Sequence, residues 1–432
     1  MKKKLLFILA HIVGFLAKLT IKKYNPAIVG ITGTVGKTST KEAIGTLVAK
    51  ERSVRAPLKS FNNELGLPLT ILGDWKKTGG IFFWIKVIVQ GIVQLIVRNT
   101  EYPEVLVLEY GVDAPNDMKK LLAIARPHIG VFTAMSEIPV HVEAFQNPTA
   151  LFNEKALLIT ELPKDGFAIL NGDDPKVMTL KDRTNARVIT YGFQKTNDIQ
   201  VSNLKNHIRE EGWGVSCKIE HKGTSVPLQI EGLGKSQGYV IGAASAVGIV
   251  MGMNLVTIGE ALQNYRAPQG RLRIVPGLKQ SLIIDDTYNS SPLATKEALE
   301  VLKSVNAKQS IAVLGDMLEL GAYTLEAHEE IGRLAAQCAD MILTVGLRGK
   351  FIAESALKTG FPKKAVVSFM STREAGQFLQ AKIQKDDVVL VKGSQGARME
   401  KVVKEVMREP GHAPMLLVRQ NKEWLSKPGL YE

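Results

Sequence analysis

Cysteine is almost missing from this sequence. The 432-residue chain has two, Cys217 and Cys338, too few and too far apart for a disulfide framework or a cysteine-rich zinc site. Such scarcity fits a reducing compartment inside the cell. No internal repeat or low-complexity tract is visible, and 45% hydrophobic against 22% charged residues is the balance of a folded chain, not a disordered one. Acid is missing from the first 23 positions, which hold Lys2, Lys3, Lys4, Lys18, Lys22 and Lys23, so nearly half of the net charge of +13 sits at one end. Zinc-finger spacing, RNA-binding signatures and interleaved basic and aromatic residues are also absent, which argues against nucleic acid as a partner. A basic end beside an apolar segment suits anionic lipid headgroups instead.

Long uncharged hydrophobic runs are missing too. Residues 5–21, LLFILAHIVGFLAKLTI, have no small-residue cleavage site of the signal-peptide kind. Lys4, His11, Lys18 and Lys22 recur at steps of seven and four, near one helical face. Residues 81–98, IFFWIKVIVQGIVQLIVR, carry Lys86, Gln90, Gln94 and Arg98 at steps of four, a narrow polar stripe on an apolar helix. Each stretch places charge within about 17 to 18 residues, short of the ~20 apolar residues of a spanning helix. Two readings fit: anchors lying in the plane of a membrane surface, or two helices packed on each other or at a subunit interface.

A chain of this length implies two or three domains. From about residue 27, short apolar runs alternate with helical periodicity, which predicts a mostly parallel α/β sheet. AIVGIT reads as a strand and KTSTKEAIGTLVAK as the helix after a loop; EVLVLEYG, HIGVFTA and GFAILNGDD read as further buried strands. Between about 188 and 232, RVITYGF, WGVSCKIEH and TSVPLQIEG predict a small antiparallel patch. Pro268 and Gly270 in RAPQGRLRIV mark a boundary. Beyond it, SLIIDD, SIAVLGD, MILTVG and DVVLVKGS predict a second, doubly wound Rossmann-like α/β domain. The expected organisation is a basic amphipathic helix at 1–26, a P-loop-type central domain at 27–268 and a C-terminal domain at 269–432.

The chemistry gathers at GITGTVGKTST, residues 30–40. Gly33 and Gly36 let backbone N–H groups approach phosphate oxygens, Lys37 adds positive charge, and the Thr38 hydroxyl suits Mg²⁺ at a helix N-terminus. Thr34 and Ser39 complete a cradle for the phosphates of ATP. Gly30 precedes Gly36 by six residues, where the strict nucleotide loop has five.

The pattern GxTGTxGKT after a strand resembles the Mur ligase family, the ATP-dependent amide-forming enzymes of cell-wall peptide synthesis. SFNNELGLPLTIL (60–72), LVLEYG (106–111), ARPHIGVFTAMSEIPVHVEAF (125–145), NEKALLITELPKDGFAILNGDDP (153–175), DDTYNSSP (285–292), LGDMLELG (314–321) and VKGSQGARME (391–400) stand in the family's order. The last three are most similar to the branch that adds D-alanyl-D-alanine to a UDP-muramoyl tripeptide. The resemblance implies that ATP converts a peptide carboxylate to an acyl phosphate, which an amine then attacks to give amide, ADP and phosphate.

It implies roles residue by residue as well. Lys37, Glu109, His141 and Lys155 would be catalytic, and Thr38, Glu109, His141 and Lys155 would hold two Mg²⁺ ions, the lysine as a carbamate formed with CO₂. Only a neutral amine reacts with CO₂, so such a site must depress the lysine's pKa. Arg271 would reach ATP phosphates, and Asp285 and Asn289 the ribose and neighbouring groups. Asn62, Asn63, Lys392 and Ser394 are assigned to substrate, while His328 and NGDDP at 171–175 read as structural.

The chain departs from the family's pattern in two places. Members of this type begin with a domain that holds the UDP-sugar, whereas about 26 residues precede the first strand here, which leaves UDP-linked and lipid-linked acceptors both open. In GLGKSQGYVIGAASA (232–246), Ser236 and Gln237 stand where the family commonly has a His-Asn pair. The expected function is a cytoplasmic ligase at the inner face of the cell membrane, in peripheral contact with it through residues 5–21 and 81–98. Another amino-acid or folate glutamate ligase, and a membrane-associated ATPase switch, are the alternatives.

Overall fold

The structure, a computed structural model, describes residues 2–57, 61–75, 79–209 and 212–431. Its first sheet has nine strands in the order β2-β3-β1-β4-β5-β6-β7-β8-β9. They are β1 (Ala27–Thr32), β2 (Val54–Arg55), β3 (Val105–Glu109), β4 (Ile129–Phe132), β5 (Phe167–Asn171), β6 (Arg187–Gly192), β7 (Ile199–Arg209), β8 (Gly212–His221) and β9 (Thr224–Ile230). β1 pairs in parallel with β3 on one side and β4 on the other. It is therefore the strand at which the order reverses, where open α/β sheets receive ligands beyond their carboxyl ends. Apolar side chains on both faces of β1 explain its continuous run of hydrophobics. Val29 and Ile31 pack with Ile44 and Leu47 of helix α2 (Lys37–Val48), and Ile28 packs with Leu67, Leu106 and Leu108.

The antiparallel patch is real but differently composed. β6 runs parallel to β5, and the antiparallel members are β7, β8 and β9. The sequence reading passed over β7. Its alternation is interrupted by a register shift between Ser202 and Lys205, with Asn203 at φ 54°, so its period of two slips partway along. The patch extends the main sheet through a short β6–β7 parallel pairing.

The second sheet has the order β10-β11-β15-β12-β13-β14, from β10 (Arg273–Pro276), β11 (Leu282–Asp286), β12 (Ser310–Gly315), β13 (Met341–Val345), β14 (Val366–Phe369) and β15 (Val388–Lys392). It is parallel except for β10, an antiparallel edge strand that begins within the stretch read as a boundary.

Helices α1 (Lys2–Tyr24) and α4 (Ile81–Ile96) lie side by side with α3 (Gly66–Leu72) beneath them. Lys23 Nζ donates to the carbonyls of Gln94 and Leu95 at 2.9 and 3.0 Å, and Leu16 packs on Gly91. The two glutamines of the α4 stripe point inward, while Lys86 and Arg98 stay exposed. Gln90 and Gln94 donate to the Leu72 carbonyl at 3.0 and 3.1 Å, Arg55 to those of Thr70 and Ile71, and Tyr102 to that of Ile71. Side chains thus satisfy the carbonyls that the C-terminus of α3 leaves open. In consequence Ile81, Phe82, Ile85, Val89, Ile92 and Ile96 of α4, with Ile8, Ile12 and Phe15 of α1, lie on the outside. No helix of the described residues is long and apolar enough to cross a membrane.

Candidate active site

The loop after β1 turns at Gly33 and Gly36, with φ 136° and 87°. A Cβ on Gly33 would lie 2.1 Å from Thr133 Oγ1, so only glycine fits there. No side chain caps α2, whose first-turn N–H groups face a cleft of about 820 Å³. An uncapped helix N-terminus of this kind attracts phosphate. Lys37 Nζ donates to Gly33 O at 3.0 Å, and burial holds its pKa below the usual lysine range. Thr38 Oγ1 donates to Glu109 Oε2 at 3.3 Å; Glu109 ends β3, in register with Ile31 of β1. Asn62 Nδ2 reaches the other Glu109 oxygen at 3.4 Å.

His141 sits at φ 69°, with Nε2 3.5 Å from Asp113 Oδ1 and Nδ1 3.0 Å from Glu319 Oε2. Glu319, at φ 64°, follows β12, so the pair joins the two sheets' loops across the cleft. The bond from His141 holds the Glu319 carboxyl below its ordinary pKa. Lys155, in the helix Pro148–Thr160, is 2% exposed. Burial, and then the charge of Lys37, bring its pKa down to about 7, against the opposing pull of Asp113, Glu109 and Glu154.

The far wall of the cleft comes from the second sheet's side. The Arg271 guanidinium lies over the Tyr288 ring at 4.2 Å. Asn289 follows β11, and Ser394, which follows β15, accepts from Leu318 N at 2.9 Å. The cleft thus gathers Thr34, Gly36, Lys37, Thr38, Asn62, Glu109, His141, Arg271, Asn289 and Ser394.

The remaining sequence candidates lie elsewhere. Gly33 and the buried Ser39 belong to the loop's underside. Asn63 accepts from Leu65 N and Gly66 N at the start of α3. Asp285 is fully buried, accepts from Thr287 and is pushed up to about 6 by burial. Lys392 is buried on Asp286 at 2.5 Å and on Asn289 O at 3.1 Å, so it braces the turn carrying Asn289. His328 accepts from Met317 N and donates from Nδ1 to Thr324 O, holding the LGDMLELG turn.

The sequence reading missed Lys41, Asp113 and Glu319. Lys41 is fully buried, 3.8 Å from Glu109, and stands four residues after Lys37, the spacing that returns to one helical face. Glu319 lay inside a recognised segment, but its meeting with His141 is visible only in three dimensions.

Among the described residues no group of three or more His, Cys, Asp or Glu side chains gathers to hold a metal ion. Mg²⁺ does not require one, because it keeps waters and takes phosphate oxygens beside one or two protein ligands. The adjacent Thr38 hydroxyl and Glu109 carboxylate are hard oxygen donors that fit it.

Two smaller cavities adjoin the cleft. One of about 240 Å³ shares Val35 and Gly36 with it and is walled by Tyr239, Ser236 and Glu297. Ser236 N donates to the Glu297 carboxylate, which burial pushes up to about 7. The other, of about 290 Å³, shares Asp113 with the cleft and is bordered by Asn63, Gly111 and, from α1, Leu6 and Ala10.

Residues 90–248 match the Mur ligase middle domain and residues 270–395 the Mur ligase glutamate ligase domain. The UDP-N-acetylmuramoyl-tripeptide–D-alanyl-D-alanine ligase of Bacillus subtilis (strain 168) is 29% identical over 397 residues, covering 91% of this chain and 79% of the relative. The enzyme of that name from Mycobacterium leprae (strain TN) is 29% identical over 393 residues, 85% of this chain and 71% of its own. A crystal structure of MurF from Acinetobacter baumannii superposes with TM-score 0.76 at 21% identity over 92% of this chain and 80% of that one. MurF ligase from Thermotoga maritima in complex with ADP gives 0.74 at 24% identity, over 92% and 83%. These likenesses to solved structures bear on the fold.

Proposed function

The chain belongs to the Mur ligase family, and from that membership we propose that it joins D-alanyl-D-alanine to the carboxylate of a muramoyl-type cell-wall peptide at the cost of ATP. One observation carries the reading. Lys37, Thr38 and the Glu109 carboxylate converge at the uncapped N-terminus of α2, and Arg271 and Asn289 face them across one cleft. The curated relatives bearing the D-alanyl-D-alanine ligase name support the choice of amine.

In this reading the α2 N-terminus and Lys37 hold the terminal phosphates, Arg271 neutralises them from the other side, and the apolar cavity by Tyr239 takes the base. Thr38 and Glu109 would hold one Mg²⁺, and His141 with a carbamylated Lys155 would hold a second. When bound, such ions neutralise the charge of the transferring phosphoryl group. Lys155 suits the modification because burial brings its pKa down to about 7, so that a substantial share of the amine is neutral near neutral pH. The nitrogen of the neutral amine bonds the carbon of CO₂ and releases one proton, turning an uncharged group into an anion. The peptide carboxylate oxygen then bonds the terminal phosphorus as the bond to ADP breaks. The amine nitrogen attacks the acyl carbon, and phosphate leaves. The His141–Glu319 contact holds the two sides of the cleft together for this sequence.

The reaction belongs in the cytoplasm, with residues 5–21 and 81–98 in peripheral contact with the inner face of the membrane; the outward apolar face of α1 and α4 supports that placement. The test of the ligase reading is phosphate release from ATP with candidate peptide acids and amines, with hydroxylamine present as a trap. Acid-dependent release with a hydroxamate, and amide formed with D-alanyl-D-alanine in preference to single amino acids, is expected. ATP hydrolysis indifferent to any acid would overturn it.

A further inference from the structure

We propose that the outward face of α1 and α4 seats the enzyme on an anionic lipid bilayer, and that the peptide acid it activates is presented from that bilayer on a lipid carrier. The second half rests on the ligase reading; the first does not.

Helix α4 is inside out by the standards of a water-facing helix. Its glutamines are spent on the carbonyl end of α3, and its exposed side is Phe82, Ile85, Val89, Ile92 and Ile96. Beside it, α1 exposes Ile8, Ile12 and Phe15 in line with Lys18 and Lys22. The two helices run in the same sense, since Leu16 meets Gly91 and Lys23 meets Gln94 and Leu95, so the exposed side chains share one continuous face.

The charge around this face chooses its occupant. Neither α1 nor α4 contains an aspartate or glutamate, and exposed Lys18, Lys22, Lys86 and Arg98 border the apolar side chains. An apolar strip whose own two helices carry lysine and no acid, with Arg98 just past α4, fits anionic headgroups around an acyl interior. A second copy of the chain fits poorly, because a two-fold contact through this face would set basic border against basic border. Neither helix can span, so the docking is in the plane of the surface.

What α1 carries on its other side fixes what the docking delivers. Leu6 and Ala10, two residues before Ile8 and Ile12 and so turned away from the lipid, form one side of the cavity of about 290 Å³ whose other side is Asn63, Glu64, Gly111, Asp113 and Asp117. Asp113 also borders the ligation cleft and lies 3.5 Å from His141. A substrate entering here starts beside a helix resting on lipid and reaches the reacting centre past Asp113. A peptide whose carrier is held in the bilayer arrives at that entrance already oriented, which raises its effective concentration.

The experiment has two arms, both on the full chain. In the first, sedimentation with phosphatidylglycerol-containing vesicles and with phosphatidylcholine vesicles measures binding. The expected result is strong partition to the anionic vesicles alone, weakened about tenfold or more by Phe15→Asp with Val89→Asp, and separately by Lys18→Glu with Lys22→Glu. No partition, partition indifferent to both pairs, or a dimer in solution that the aspartate pair dissolves would overturn the docking. In the second arm, one peptide acid is offered free in solution or coupled to a lipid in the vesicle. Preferential use of the coupled form, lost in the aspartate pair while use of the free peptide is kept, is expected. Equal use of both forms by the native chain would overturn the delivery. Vesicle binding with no hydroxamate from either form would sink the ligase reading and leave the docking standing.

Discussion

Around the cleft, charge is buried: Lys41 is 0% exposed, Lys155 2% and Glu109 3%. On the α1–α4 flank, apolar side chains are bare: Phe82 is 84% exposed, Ile96 77% and Ile81 70%. Soluble domains ordinarily do the reverse in both places. The two regions differ in how the departure is compensated. The cleft compensates internally, by setting Glu109 among Thr38, Asn62 and Lys41. Among the described residues nothing covers the flank, so its compensation comes from outside them. A site that breaks the inside-outside rule and balances itself reads as chemistry; one that breaks it unbalanced reads as contact.

The strongest way to break this comparison is to remove charge from the cleft. Lys37→Ala should lower hydroxamate formation by about a thousandfold while leaving the melting temperature unchanged or slightly raised, since a desolvated amine is deleted. Lost folding together with lost activity would make Lys37 a structural residue. A smaller effect, of about a hundredfold, is expected for Lys155→Ala, partly restored by small carboxylates. In the native enzyme, activity should fall as pH drops below about 7, where Lys155 takes up a proton and its carbamate is lost. Bicarbonate should recover the activity of CO₂-depleted enzyme. Full activity in Lys155→Ala would refute the carbamate.

Glu42, next to Lys41, sharpens the same point through stability. Burial raises its pKa from 4.5 to about 7, in spite of Lys41 at 3.7 Å. A raised folded-state pKa gives stability that is full below the unfolded value of 4.5 and lost as pH climbs through 7. Glu42→Gln should therefore match the native protein near pH 4 and exceed it by about 2 to 3 kcal/mol at pH 8. Denaturant melts at the two pH values decide this, and an equal gain at both would show that the shift is not electrostatic.

The nucleotide loop was legible in the sequence because its meaning is local: Gly33, Gly36, Lys37 and Thr38 are neighbours, and a buried strand precedes them. Strands β1, β3, β4 and β5 were legible for the same reason, as apolar runs bounded by polar turns. β7 was hidden by its slipped register. Lys41, Asp113 and Glu319 were hidden because their roles come from partners on other elements. The step-of-four polar stripe on α4 was visible, but not its direction. Facing the two glutamines inward takes a helix end in need of donors, and the carbonyls at the end of α3 are not written into residues 81–98.

That direction gives the smallest and most discriminating prediction. If the glutamines are the inner side of α4, replacing Gln90 and Gln94 together by leucine leaves the Leu72 carbonyl without their two donors, at a cost of about 1 to 2 kcal/mol. Phe82→Ser, on the bare side, should change stability by no more than about 0.5 kcal/mol, although it exchanges a large apolar residue for a small polar one. Denaturant midpoints in the absence of lipid compare the two directly. A water-facing amphipathic helix would give the opposite ranking, with the polar double change harmless and the aromatic deletion costly, and that ranking would put the apolar side of α4 in the core instead of on the surface.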